Sequence, residues 1–137
     1  MMRRIGFRGE TGGATYDRGD DWHLGAEWPA TASEDLAVQA AVAVMAIDSF
    51  VAPATMHANQ IDLDAEWPVI MPSLDLTSWF YAPEAGRQAG EWLSTRTSVP
   101  VTGAGYAVGR TQVWANDVLV AEGMSQVALV PAPTANA

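Results

Sequence analysis

One segment limits the fold more than any other: "TASEDLAVQAAVAVMAIDSFVAP", residues 31–53. From Leu36 to Ile47 almost every residue is apolar or a strong helix former. Thr31, with Glu34 three residues later, reads as a capping box, and Asp35 adds negative charge where the helix dipole favours it. The pattern predicts a helix over 32–52, ended by Pro53. Its apolar residues cover nearly the whole circumference, and a helix of that kind is buried on most of its sides. The chain has 137 residues, the size of one domain, so the rest of it must wrap this helix.

The wrapping material is extended. Four strand-like runs follow, at 73–81, 91–99, 104–115 and 118–130, and "DWHLGAEWP" at 21–29 reads as an earlier strand. "AND", 115–117, is a tight hairpin turn between the last two runs. Residues 53–71, broken by Pro53, Asn59, Pro68 and Pro72, read as a long connection with little regular structure. Residues 1–20 read as an irregular arm or loop, and 131–137 as a frayed tail. The expected architecture is α+β: one domain over 1–137, with an antiparallel sheet curled around a central helix.

Composition excludes several functions. Seven arginines and no lysine stand against 16 acidic residues, a net charge of −9. That balance argues against binding nucleic acid through a general basic field. A phosphate-bearing ligand then needs a local arginine, such as Arg87, Arg96 or Arg110. Zero cysteines exclude disulfides, zinc–thiolate sites and thiol nucleophiles. His23 and His57 are far apart with no third ligand at metal spacing, so no metal and no cofactor is expected. "TGAGYAVG" opens a strand, not a helix, and reads as a bent hairpin, not a nucleotide fingerprint. The apolar run at 36–47 is shorter than the roughly 20 residues of a membrane span. The start "MMRRIGFRGE" has no apolar core of a leader, which gives a cytoplasmic expectation.

In "MPSLDLTSWFYAP", 71–83, Ser73, Asp75 and Thr77 alternate with Leu74 and Leu76, and Trp79 and Tyr81 continue the polar row. This stretch resembles the "S/T-[LI]-D-H-x-x-W-F-H-R-P" segment of type II acyl-CoA thioesterases, which have a double hot-dog fold. "WHLGAEWPATASEDLAVQAAVAVMAIDSF" resembles that family's strand, loop and central helix with an Asp at the helix end. "GEWLSTRTSVPVTGAGYAVGRTQVWANDVLVAEGMSQVALV" resembles its last three strands. The likeness covers about residues 22–130 and corresponds to the C-terminal half of the double fold.

The resemblance implies a thioester hydrolase in which an Asp, a Ser or Thr, and a Gln orient a water. It assigns these roles to Asp48, Ser73 and Gln126. A carboxylate can take the proton of the attacking water, and hydroxyl and amide groups can fix its position. Trp79, Tyr81, Arg96 and Arg110 are the candidate substrate contacts. The sequence departs from the family in three ways. The sequence resembles one hot-dog half, where the family carries two. Both histidines and the arginine of "DHxxWFHRP" are missing from "DLTSWFYAP". Gln126 lies five residues after Ala121, where four is usual, so its side chain faces the other side of the sheet. A bulge at Gly123 would restore it; without one, Ser125 becomes the candidate.

Three functions compete. The first is hydrolysis of an acyl-CoA or other acyl thioester. The second is a non-catalytic hot-dog subunit, or a binder of an acyl or polyketide-like ligand, paired with a partner. The third is a hydratase or dehydratase, ranked last because that chemistry needs a histidine on the central helix. A lone half leaves a sheet edge open, so a homodimer, or a heteromer with another hot-dog protein, is the expected assembly.

Overall fold

The computed structural model describes residues 15–18, 22–59, 69–82, 84–85 and 92–132. Arg87 lies outside them, as does most of the 1–20 arm. Strand β1 is Thr15–Arg18 and β2 is Trp22–Pro29. Helix α1, Leu36–Ser49, is followed directly by α2, Val51–Ala58. The remaining strands are β3 Val69–Ile70, β4 Ser73–Phe80, β5 Trp92–Gly103, β6 Tyr106–Ala115, β7 Val118–Ala128 and β8 Val130–Pro131. Six strands form one antiparallel sheet in the order β1-β2-β5-β6-β7-β4, and β3 pairs with β8. Both helices lie on one face of the large sheet, α1 over β4, β6 and β7, and α2 over β2, β5 and β6. That face is called inner below.

The helix differs from its expected form at both ends. It starts at Leu36 with Asp35 as its cap, whose Oδ1 accepts from the Ala37 amide at 2.8 Å. Thr31 and Ser33 instead accept the amides two residues on, Ser33 and Asp35, and Gln39 donates to the carbonyls of Thr31 and Ser33. Such hydroxyl turns compete with helix and hold the lead-in extended. At the other end Pro53 does not stop the helix. The proline ring cannot coexist with a straight helix because it collides with the carbonyl four residues back. The axis breaks at Phe50, and Pro53 falls in the first turn of α2, where a missing N–H costs nothing. His57 is thereby carried onto the helical continuation, in the last turn of α2.

The expectation of burial on most sides also needs correction. The sheet covers one side, where Ala46, Ile47, Phe50 and Val51 are wholly or almost wholly enclosed. The opposite side exposes Val38 and Met45 (57%), and Leu36 (51%), in line with Ala43 and Ile47, is exposed in the first turn. The 23-residue stretch Leu36–Ala58 is long and apolar enough to cross a bilayer by length and composition alone. Its packing on the sheet makes it the core helix of this domain. Phe50 meets Trp28 edge-on, with ring centroids 5.8 Å apart, and Val113, Val127, Leu93 and Ala121 complete the core around it.

The hairpins follow local chemistry. Asn116, at φ 53°, turns β6 into β7, and Ala104 (φ 51°) with Gly105 (φ 82°) turns β5 into β6. Pro100 sits inside β5 where the register against β6 shifts between Ser98 and Val101, a place a strand can hold a proline.

Candidate active site

Four inner-face positions lie beneath the helix break. Gly109 on β6 pairs with Ser125 on β7, and Thr111 pairs with Gly123, so each cross-strand pair joins one glycine to one hydroxyl. The glycines let the helices settle. A Cβ on Gly109 would lie 2.5 Å from Val51 Cγ2. On Gly123 it would lie 2.7 Å from the Thr77 carbonyl oxygen and 2.8 Å from Ile47 Cγ2. Gly123→Ala therefore pushes against backbone on one side and a fully buried side chain on the other. It is expected to destabilise the fold by about 1–3 kcal/mol, read as a lower urea midpoint at unchanged slope.

The hydroxyls catch polar groups of the lowered helix. Asp48 is in the last turn of α1, half-buried. Its Oδ1 accepts from Ser125 Oγ at 2.9 Å and from Ser73 Oγ at 2.7 Å. Both bonds fall on one oxygen, which leaves Oδ2 without a partner among the described residues. Ser125 is fully enclosed, whereas Ser73 opens to solvent at the edge of the sheet. The cluster is thus a carboxylate held from below and from the side, reachable from the surface.

Ser73 reaches Asp48 because β4 is irregular. Ser73 pairs with Val127 and Asp75 with Gln126, so Leu74 is an extra residue in the ladder. The bulge separates Ser73 from the row expected to continue through Asp75, Thr77 and Trp79. Those three pair with Gln126, Met124 and Glu122 and are exposed on the outer face. The polar row of the sequence is therefore two sets: one serine at the carboxylate, the rest on the far side.

The alternatives for β7 resolve geometrically. From Ala121 to Gln126 the ladder against β6 is unbroken; the register shift of β7 comes earlier, at Val120. Gly123 carries no bulge, so Ala121, Gly123, Ser125 and Val127 point inward and Gln126 is exposed on the outer face. Ser125, not Gln126, meets Asp48.

The four candidate substrate contacts do not join this cluster within one chain. Arg96 and Arg110 alternate with inward-facing Thr95, Thr97 and Thr111 and so lie exposed on the outer face. Arg110 is bound there to Glu122, with Nη2 to Oε1 at 2.8 Å, and Gln112 Nε2 donates to Glu122 Oε2 at 2.9 Å. Trp79 is exposed on the same face, six residues and roughly 20 Å along the strand from Ser73. Tyr81 is exposed just past the end of β4. Sequence reasoning passed over Gly109 and Thr111, and weighed Gly123 only as a bulge. The available signal was the repeated small–x–small spacing of "GRT" and "GMS" in neighbouring strands.

Comparison with known proteins gives the same architecture. Thioesterase HI1161 of Haemophilus influenzae superposes with a TM-score of 0.60 at 14% identity, over 91% of this chain and 82% of that one. AziG of S. sahachiroi gives 0.60 at 18% identity, over 87% and 92%. A conserved protein of unknown function with hot-dog fold from Alicyclobacillus acidocaldarius gives 0.60 at 23% identity, over 88% of this chain and 44% of that one. The fold is thus the hot-dog fold. No curated protein sequence matches the chain. The model of one sequence family, described as the acyl-CoA thioesterase C-terminal domain, matches residues 2–130, and the chain belongs to that family.

Proposed function

We propose that this chain is a thioester hydrolase whose general base is Asp48. The observation carrying the reading is the meeting of that carboxylate with two serine hydroxyls from separate strands, at 2.7 and 2.9 Å. Both hydroxyls hold Oδ1, so Oδ2 is the oxygen that takes the proton of an attacking water. The water oxygen bonds to the thioester carbonyl carbon. The tetrahedral adduct then expels the thiolate, breaking the C–S bond, and the proton held on Asp48 passes to the thiolate sulfur, giving a carboxylic acid and a thiol and restoring the carboxylate. A thiol with a pKa of about 8.5 is a good leaving group, so no stronger nucleophile than water is needed. Ser125 takes the position that the resemblance gave to Gln126, and Ser73 keeps its own.

The substrate we infer is an acyl-CoA or a related acyl thioester. Residues 1–137 act as one hot-dog domain, in the cytoplasm, with neither nucleic acid nor membrane as partner. We further propose a homodimer. The position of β4 at the end of the sheet among the described residues supports it, since Ser73 lies on that strand and unpaired edges invite a second strand. Two experiments test these statements. The purified chain is expected to release thiol from at least one member of an acyl-CoA panel, and no release from any thioester would reject the hydrolase reading. Light scattering at micromolar concentration is expected to give twice the chain mass, and a stable monomer would reject the homodimer.

A further inference from the structure

The inner face holds a buried hydroxyl pair that the proposed reaction does not use directly. Thr97 on β5 and Thr111 on β6 are opposite each other, fully enclosed, with their Oγ1 atoms 2.9 Å apart. Thr111 Oγ1 also donates to the carbonyl oxygen of Ile47 at 3.2 Å. Valine has the same shape and would bring no polar atom of its own to either position, so the two hydroxyls call for a reason. Each has one proton. Thr111 spends its proton on Ile47, so Thr97 must be the donor between the two. The chain therefore runs from Thr97 to Thr111 to the Ile47 carbonyl.

That carbonyl belongs to the peptide unit joining Ile47 to Asp48. A peptide is a rigid plane, so fixing its oxygen fixes the direction in which the Asp48 Cα leaves it. The same residue is fixed a second time, because the Ile47 side chain lies against Gly123. The anchor sits in the last turn of α1, one turn before the axis breaks, where a helix is least held by its own bonds.

We propose that Thr111, oriented by Thr97, is a positioning residue for Asp48, acting through the Ile47–Asp48 peptide. The inference rests on Asp48 being the base, and it adds where that base gets its aim. Without the Thr111 hydroxyl, the peptide can rotate and the carboxylate leaves the shared reach of Ser73 and Ser125.

The test compares Thr111→Val, Thr111→Ser and Thr97→Val with the wild type. Two quantities are read: kcat and KM for acyl-CoA hydrolysis, and hydrogen exchange of the Asp48 and Ser49 amides by NMR. Thr111→Val is expected to lower kcat about tenfold with KM little changed, and to speed exchange at both amides. Thr111→Ser keeps the hydroxyl and loses a methyl, and is expected to return both readings towards wild type. Thr97→Val should fall between, which keeps the proposal testable if Thr111→Val does not fold. Wild-type kcat and exchange in both valine variants would overturn it. So would a serine variant as impaired as Thr111→Val, because shape and not the hydroxyl would then matter. If the wild type hydrolyses no thioester, the exchange readings still decide the positioning, and the failure belongs to the hydrolase reading alone.

Discussion

Asp48→Asn is expected to give a folded protein that hydrolyses thioesters about 10²-fold more slowly, the usual effect of losing a general base. The substitution keeps the shape of the side chain. An amide oxygen still accepts from Ser73 and Ser125, so both hydrogen bonds to Asp48 can persist. What disappears is the oxygen able to take a proton. A structural role would predict the reverse, with altered stability and normal turnover in whatever folds. Thiol release and thermal melting on the same sample separate the two. An Asn variant of wild-type activity would remove Asp48 from the mechanism.

Phe50→Ala is expected to cost about 3–5 kcal/mol, the range for deleting a buried aromatic ring. Total stabilities of about 5–15 kcal/mol leave little after that loss. Phe50 is fully buried, ends α1, begins α2 and stacks edge-on against Trp28 from β2. The cavity would open where the helix axis breaks, a place with no continuous helix to bridge it. Urea unfolding measures the effect, and a shift below about 1 kcal/mol would show that the ring is not a keystone of the core. The Val42 position, near the middle of α1, is only partly buried, so a substitution there is expected to do less.

The helix, the hairpin at Asn116 and the strands β4 to β7 were legible because period and turn chemistry are local properties of sequence. The start of the helix was not, since Thr31 could cap it or hold a turn, and the choice depends on Gln39 reaching back to Thr31 and Ser33. Nor was the passage through Pro53, which a proline forbids in a straight helix and permits at the opening of a new one. Exposure of Val38 and Met45 was misread because periodicity reports what is apolar, not how many layers are present to cover it. Asp48 and Ser73 were named from resemblance, and the structure brings them into contact. Choosing between Ser125 and Gln126 needed the location of every irregularity in β7, which no count of residues supplies.

The extra residue Leu74 has a consequence for how such a chain can vary. A strand in the middle of a sheet is read by two neighbours, and one added residue puts it out of step with both. Among the described residues β4 has only β7 beside it, so the same insertion disturbs a single ladder. Everything after Leu74 stays in its old frame while Ser73 alone changes sides. The outermost strand thus works as an adjustable jaw: a one-residue gain or loss swings a hydroxyl towards or away from Asp48 while the helix, its glycine seats and the rest of the sheet stay where they are. Chains of this family that differ in length at this point would then differ in which residue meets the carboxylate, and aligning them without a gap there would match residues that face opposite ways.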